Sequence, residues 1–320
     1  MIRTAMLVAA LALAAAGPAR ADWPTRPITI VVPYAPGGLT DAVARAVAEG
    51  AARELGQPVV VENKPGAGGK IGMDQLRRAP KDGYTIGLAV PATMVTLPLT
   101  DPGYGIEPLK EFAPITIAVD TFMVLVASKK VLPSGGLKEF IALAKSRPGQ
   151  LNYGTPGAGT SFHFNNVYFA NLAGIQTVHV PYKGESGALA DLAGGQIDYM
   201  LAGQGAKTFV DTGKVRALAV AAKKRVEAYP DVPTFKEAGM DFTTDGWVGF
   251  IAPAGIPPAV LERLNAALVK TIQSPSVRAA FASMGYEPVG STPAYFRNVV
   301  QEASKRYGAM IESGQVKLAQ

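Results

Sequence analysis

The chain has 320 residues, with 31 Lys and Arg against 25 Asp and Glu, a formal charge of +6 and no cysteine. The missing cysteines exclude disulfides, thiolate metal sites, a cysteine nucleophile and lipid anchoring through an N-terminal cysteine. Basic residues are scattered. Lys223-Lys224-Arg225 is the one run, and no aromatics interleave it, which argues against nucleic-acid binding.

The chain opens with Arg3, an apolar run over residues 5–16 and then Ala19-Arg20-Ala21. A short charged start, an apolar stretch and a small-x-small ending read as a secretory signal peptide over residues 1–21, cleaved after Ala21. The run is shorter than the roughly 20 residues that span a bilayer. Cleavage removes Arg3 and Arg20 and no acid, lowering the formal charge from +6 to +4. The mature protein is therefore expected in the periplasm.

From there, short apolar runs alternate with helical stripes, the pattern of an α/β fold with mainly parallel strands. Strands are expected at residues 28–32, 58–61 and 84–90, with a helix carrying Leu39, Val43, Ala46, Val47 and Leu55 after the first. Residues 115–127 read as one long strand passing into a second domain. A helix at 137–146 stops at Arg147-Pro148-Gly149. A βαβ unit follows, with strands at 151–153 and 177–181 around a helix bearing Phe164, Val167, Tyr168 and Leu172. A helix at 188–193 and strands at 197–201 and 215–221 complete the second domain. Residues 246–252 return the chain to the first, which ends in helices from Pro258 and over 293–313. The expected division is 22–120 with 248–320 as one lobe and 121–247 as the other, hinged near 118–124 and 244–249.

Two glycine-rich turns each join a strand to a helix: Pro33-Tyr34-Ala35-Pro36-Gly37-Gly38-Leu39-Thr40-Asp41 and Gly154-Thr155-Pro156-Gly157-Ala158-Gly159-Thr160-Ser161. Each aims unpaired helix N-terminal amides, with the positive end of the peptide dipoles behind them, at an approaching group. That is an anion site. Thr40, Thr160 and Ser161 add hydroxyls that either cap the helix or donate to a carboxylate. Asp41 is assigned to the helix end, since it would repel an anion.

Other motifs fail. Around Gly66-Ala67-Gly68-Gly69-Lys70 the P-loop spacing puts Lys64 at the first glycine position and Ile71 at the Ser/Thr position. The dinucleotide fingerprints starting at Gly66 and Gly157 meet Ile71 and Phe162 at the last position. Gly66–69 is read as a structural loop. Gly184-Glu185-Ser186-Gly187 lacks the nucleophile-elbow order. Only His163 and His179 exist, without metal spacing, and Ser161 and His163 diverge on a helix. No cofactor, metal or catalytic group is expected.

The chain resembles the extracytoplasmic substrate-binding proteins of tripartite tricarboxylate transporters, the Bug/TctC type. The matching stretches include Trp23-Pro24, Val31-Val32-Pro33-Tyr34, Pro36-Gly37-Gly38, Thr40-Asp41 and Gln57-Pro58-Val59-Val60-Val61-Glu62-Asn63-Lys64-Pro65-Gly66-Ala67-Gly68-Gly69. Further on come Asp82-Gly83-Tyr84, His179-Val180-Pro181-Tyr182-Lys183-Gly184, Gly194-Gly195-Gln196-Ile197-Asp198 and Pro230-Asp231-Val232-Pro233-Thr234. The resemblance implies a type II periplasmic-binding-protein fold with a hinged two-lobe cleft. It also implies a monomer without catalysis that delivers an organic acid to membrane permease subunits. The implied ligand contacts are Tyr34, Pro36, Gly37, Gly38, Leu39, Thr40, Ala92, Thr93, Thr155, Gly157, Gly159, Thr160, Ser161, Phe162, His163 and Ala202. Leu39, Phe162 and Ala202 depart from the family pattern. Ala202 stands where many members carry Asp, a partner for a ligand ammonium, which favours a di- or aromatic carboxylate over an amino acid. One alternative keeps the fold but presents the ligand to a sensor kinase. An α/β hydrolase is disfavoured by the failed motifs.

Overall fold

The computed structural model describes residues 23–244 and 246–316, so the leader read at 1–21 lies outside the described residues. Strand β1 (Ile28–Val32) buries Ile28, Ile30, Val31 and Val32, as a strand covered on both faces must. Helix α1 (Leu39–Leu55) buries Val43, Ala44, Val47, Ala51 and Leu55 on one stripe. It stops at Gly56, whose left-handed backbone (φ +71°) lets its N–H close on the Ala52 carbonyl. Strand β2 (Val59–Asn63), helix α2 (Lys70–Arg77) and strand β3 (Thr85–Ala89) follow, and β2 and β3 both pair parallel to β1.

The segment read as one strand over 115–127 is two. Strand β4 (Phe112–Asp120) and strand β5 (Met123–Ser128) are separated by Thr121 and Phe122 and belong to different sheets. Both halves are apolar because both are buried, so composition alone could not show the break. The second lobe continues with helix α3 (Leu137–Ser146), strand β6 (Asn152–Thr155), helix α4 (Ser161–Ala173) and strand β7 (Val178–Pro181). Helix α5 (Glu185–Gly194), strand β8 (Tyr199–Ala202), helix α6 (Ala206–Asp211) and strand β9 (Val215–Ala221) complete it. Strand β10 (Trp247–Pro253), helices α7 (Pro258–Ile272) and α8 (Pro275–Ser283), strand β11 (Glu287–Pro288) and helix α9 (Pro293–Glu312) return to the first lobe.

The sheets run β11-β4-β10-β3-β1-β2 and β7-β6-β8-β5-β9. They are mixed rather than mainly parallel. Strand β10 is antiparallel to both β3 and β4, and β5 is antiparallel to both β8 and β9. The crossing strands enter each sheet from the seam and so must run against their neighbours. Each sheet carries a core on both faces. Helices α1, α7 and α8 cover one face of the first sheet, and α2 and α9 the other.

The lobes touch beside the crossings. Phe164 of α4 stacks on Tyr307 of α9 at 4.5 Å and 6°, and Asn165 Nδ2 donates to the Tyr307 hydroxyl at 3.1 Å. Lys223 pairs with Asp120 at 2.9 Å and Lys224 with Glu287 at 2.8 Å. Both ion pairs join one lobe to the other.

Phe296 of α9 is fully buried, edge-on to Trp247 at 4.7 Å. A Cβ on Gly249 would lie 2.5 Å from its ring, so the glycine makes room for it. Phe296→Ala should cost about 3–5 kcal/mol in urea unfolding. A loss below about 1 kcal/mol would contradict this packing.

Candidate functional site

Register places the site. The last residue of β3, Ala89, pairs with Gly249 near the start of β10, and Trp247, the first residue of β10, pairs with Asp120 at the end of β4. In the second lobe Ala202, the end of β8, pairs with Val124 near the start of β5. Carboxyl ends of parallel strands in both lobes therefore point at the seam between the lobes. Ligands of open α/β sheets bind at such ends. Six loops gather there: those after β1, β2 and β3 from one lobe and after β6, β7 and β8 from the other.

In the first turn, Gly37 (φ +83°) takes a backbone that side-chain-bearing residues avoid. Gly38 starts α1 without a side-chain cap, so the leading amides of the helix stay unpaired. Pro36, Gly37 and Gly38 are exposed, Tyr34 and Leu39 half-buried, and Thr40 buried. Asp41, only 4% exposed, holds the turn from beneath. It accepts from the Gly37 N–H at 2.9 Å, from Arg45 Nε at 2.9 and 3.0 Å and from Asn63 Nδ2 at 2.9 Å. The Arg45 hydrogen bond leads in holding its carboxyl down at about 2. Asp41 is thus committed to the turn.

The Gly66–69 loop lies in the same wall. The Tyr34 hydroxyl donates to the Gly68 carbonyl at 3.3 Å, and burial pushes that phenol up to about 12. A Cβ on Gly69 would sit 2.8 Å from Thr93 Cγ2 and 3.3 Å from the Tyr34 hydroxyl. Thr93 itself is fully buried, its hydroxyl donating to the Val90 carbonyl at 3.1 Å, with Ala92 half-buried beside it. In this structure the Thr93 side chain serves its own turn.

The second turn spends most of its polar groups on itself. Thr155 Oγ1 lies 2.7 Å from His179 Nε2 and accepts the Gly157 N–H at 3.3 Å. Thr160 caps α4, accepting the His163 N–H at 3.4 Å while donating to the Gly157 carbonyl at 2.8 Å. Gly159 (φ +72°) donates its N–H to His163 Nδ1 at 3.2 Å, so that ring carries its proton on Nε2. His163 stacks on His179 at 3.9 Å, and Tyr153 covers the far face of the pair at 5.0 Å from His179. Burial holds both imidazoles down at about 4, with His179 adding to the effect on His163. The Ser161 hydroxyl and the Ser161 and Phe162 amides of α4 have no partner among the described residues. Four hydrogen bonds to a carboxylate, each about 1.5–3 kcal/mol, less ordering costs, reach the micromolar range.

The three departures from the family pattern fall unevenly. Leu39 packs partly on the first lobe's core and Phe162 on the second's. Ala202 is fully buried among Val124, Val126 and Leu189 and presents no side-chain surface to the seam. Sequence reading missed the Gly68-Gly69 wall and the loops after β7 and β8. The available signals were the resemblance stretches ending at Gly68-Gly69 and at Lys183-Gly184. A cavity of about 720 Å³ also opens at the crossings, lined by Phe122, Lys223, Trp247 and Tyr295 among others, and none of the expected site residues line it.

This is the plan of a two-lobed solute-binding protein. Residues 43–316 match the family model described as the tripartite tricarboxylate transporter family receptor, and the chain belongs to that family. BugT of Bordetella pertussis is 34% identical over 307 residues, covering 95% of this chain and 94% of the relative. Rpa4515 of R. palustris, described with adipate, is 30% identical with a TM-score of 0.73, covering 93% of this chain and all (100%) of that one. MatC of Rhodopseudomonas palustris, described with bound malate, is 32% identical with a TM-score of 0.68, over 90% of this chain and 100% of that one. The fold is the expected two-lobe binding-protein fold, and the matched family is one of receptors rather than enzymes. No helix among the described residues is long and apolar enough to cross a membrane.

The buried groups set a two-step acid profile. A histidine whose folded value is depressed contributes stability fully above its unfolded value and loses it as pH falls. Urea stability should therefore decline between about pH 6.5 and about pH 4 as the unfolded chain binds protons that His163 and His179 refuse. Asp41, also depressed, adds a second decline from about pH 4 towards about pH 2, which Asp41→Asn should remove at a cost of about 2 kcal/mol at neutral pH. Flat stability across the first window would contradict the neutral stacked pair.

Proposed function

We propose that this receptor captures a small organic carboxylate between its lobes and delivers it to the permease subunits of a tripartite tricarboxylate-type transporter from the periplasm. The observation that carries this reading is the pair of glycine turns, one per lobe. Each lies at the carboxyl end of a parallel strand on the seam and opens a helix whose leading amides are free for an anion. The contacts are taken to be the amides of Gly38, Leu39 and Thr40, with Pro36, Gly37 and Tyr34 packed beside the ligand and Gly157, Ser161 and Phe162 opposite. Thr155, Gly159, Thr160 and His163 act by holding the second turn in shape.

Dicarboxylates lead the candidate ligands, with aromatic carboxylates beside them and amino acids behind. Two amide clusters suit two carboxylates, and position 202 supplies no acid for an ammonium. Binding offsets the cost of bringing the lobes together, with rotation at the two crossings near 118–124 and 244–249.

A thermal-shift panel of adipate, malate, benzoate, aspartate and glucose tests this. A ligand at a hundred times its Kd adds about 2.7 kcal/mol, roughly 5–10 °C for a chain of this size. A shift confined to carboxylates is expected, and none with any carboxylate, after unfolding and refolding to strip the cleft, would overturn the reading. Gly159→Leu should abolish the shift, whereas Lys183→Ala should change Kd by no more than roughly threefold because an exposed lysine is screened. Wild-type affinity in Gly159→Leu would contradict the second turn's part.

A further inference from the structure

One carboxylate on the seam is unused by the glycine turns. Glu185 is the first residue of α5, in the loop after β7, and the neighbouring Tyr182 carbonyl lies 3.6 Å from where a Gly157 Cβ would stand. Its Oε1 accepts the Gly203 N–H at 2.5 Å. Gly203 directly follows Ala202 at the end of β8, so Glu185 places a carboxyl group beside the position that lacks one.

The surroundings hold no cation for it. Among the described residues Glu185 makes no ion pair. Lys207, on α6, is taken by Asp211 at 2.6 Å, and Lys183 on its own loop is exposed. From the elements packed nearby, Tyr229 of the second lobe and Tyr286 of the first both feel the Glu185 charge. Asp191 on the same helix is occupied by the Tyr182 hydroxyl at 2.7 Å. Next to Glu185, the Gln204 amide donates across the seam to the Met284 carbonyl. Cβ atoms on Gly203 and Gly205 would lie 3.3 and 3.6 Å from Glu185 Oε2, so both glycines leave room for that oxygen. Burial raises the carboxyl, against the Gly203 amide, which lowers it.

A negative charge here would repel a ligand drawn in by the amides of the two turns. A neutral carboxyl would do the opposite, since its second oxygen then donates a hydrogen bond. We propose that Glu185 is the specificity-determining residue of the cleft, donating a hydrogen bond from its carboxyl O–H to the second carboxylate of a dicarboxylate held between the lobes. This rests on the carboxylate-binding reading above and names the ligand class more narrowly. Where Glu185 is ionised before binding, it takes one proton from solvent as the dicarboxylate enters. Affinity therefore weakens as pH rises.

Titration calorimetry with adipate, hexanoate and aspartate, in two buffers of different ionisation enthalpy, tests the assignment. The wild type should prefer adipate to hexanoate, take up protons on binding adipate and lose affinity as pH rises above the ordinary carboxylate range. Glu185→Gln, which keeps the shape and a donor, should hold adipate within about threefold, with no proton uptake and no pH dependence. Glu185→Ala should weaken adipate by about tenfold or more and leave hexanoate unchanged. Adipate affinity unchanged in a folded Glu185→Ala protein would overturn the proposal. Aspartate binding lost in Glu185→Gln would also overturn it, because that result makes the group an ionised partner for an ammonium. If the wild type bound no carboxylate at all, the parent reading would fail instead.

Discussion

The antiparallel return of β10 between β3 and β4, matched by β5 between β8 and β9, is the constraint on which the site depends. Each crossing strand enters its sheet at the seam, so each must run against its parallel neighbours. Their carboxyl ends, and the helix N-termini that follow them, are thereby turned towards the opposite lobe. Without that pairing the two glycine turns would be ordinary connections on separate domains. With it they face each other as the two halves of the proposed anion site, whose field would come from backbone amides rather than from lysine or arginine.

Holding such amides unpaired needs support from behind. In the first lobe that support is ionic: Asp41, Arg45 and Asn63 tie Gly37 to the helix and to β2. In the second it is aromatic and neutral, through the stacked His163 and His179 and the hydroxyls of Thr155 and Thr160. Both schemes keep charge off the cleft surface. Asp41 faces inward, and desolvation keeps the stacked imidazoles of buried His163 and half-buried His179 neutral. Glu185 is an acid at the seam that makes no ion pair among the described residues, and the neutral form proposed for it suits the same design.

Much of this was legible in the residues. Helix 137–146 and strand 215–221 were bounded by Pro, Gly and apolar periodicity, and the structure gives them as Leu137–Ser146 and Val215–Ala221. Asp41 could be assigned to its helix on charge alone. Strand direction could not be read, because a fully buried antiparallel strand such as β10 has the same continuous apolar pattern as a parallel one. The break at Thr121 and Phe122 was hidden for the same reason. Fates of individual hydroxyls, the burial of Ala202 and the reach of Glu185 to Gly203 depend on contacts between distant loops. Local spacing carries none of that.

The strand orders place the crossings at one side of the seam and the free edges, β2 and β7, beside the turns. Those edges should move most on closure. Val60 and Val178 lie there, 52% and 51% exposed, and the chain has no cysteine to interfere with labelling. The direct measurement is the distance between spin labels on Val60→Cys and Val178→Cys, with and without saturating adipate. The account predicts a shorter, narrower distance distribution in the bound protein. An unchanged distribution, in a sample where calorimetry shows adipate bound, would contradict capture between the lobes.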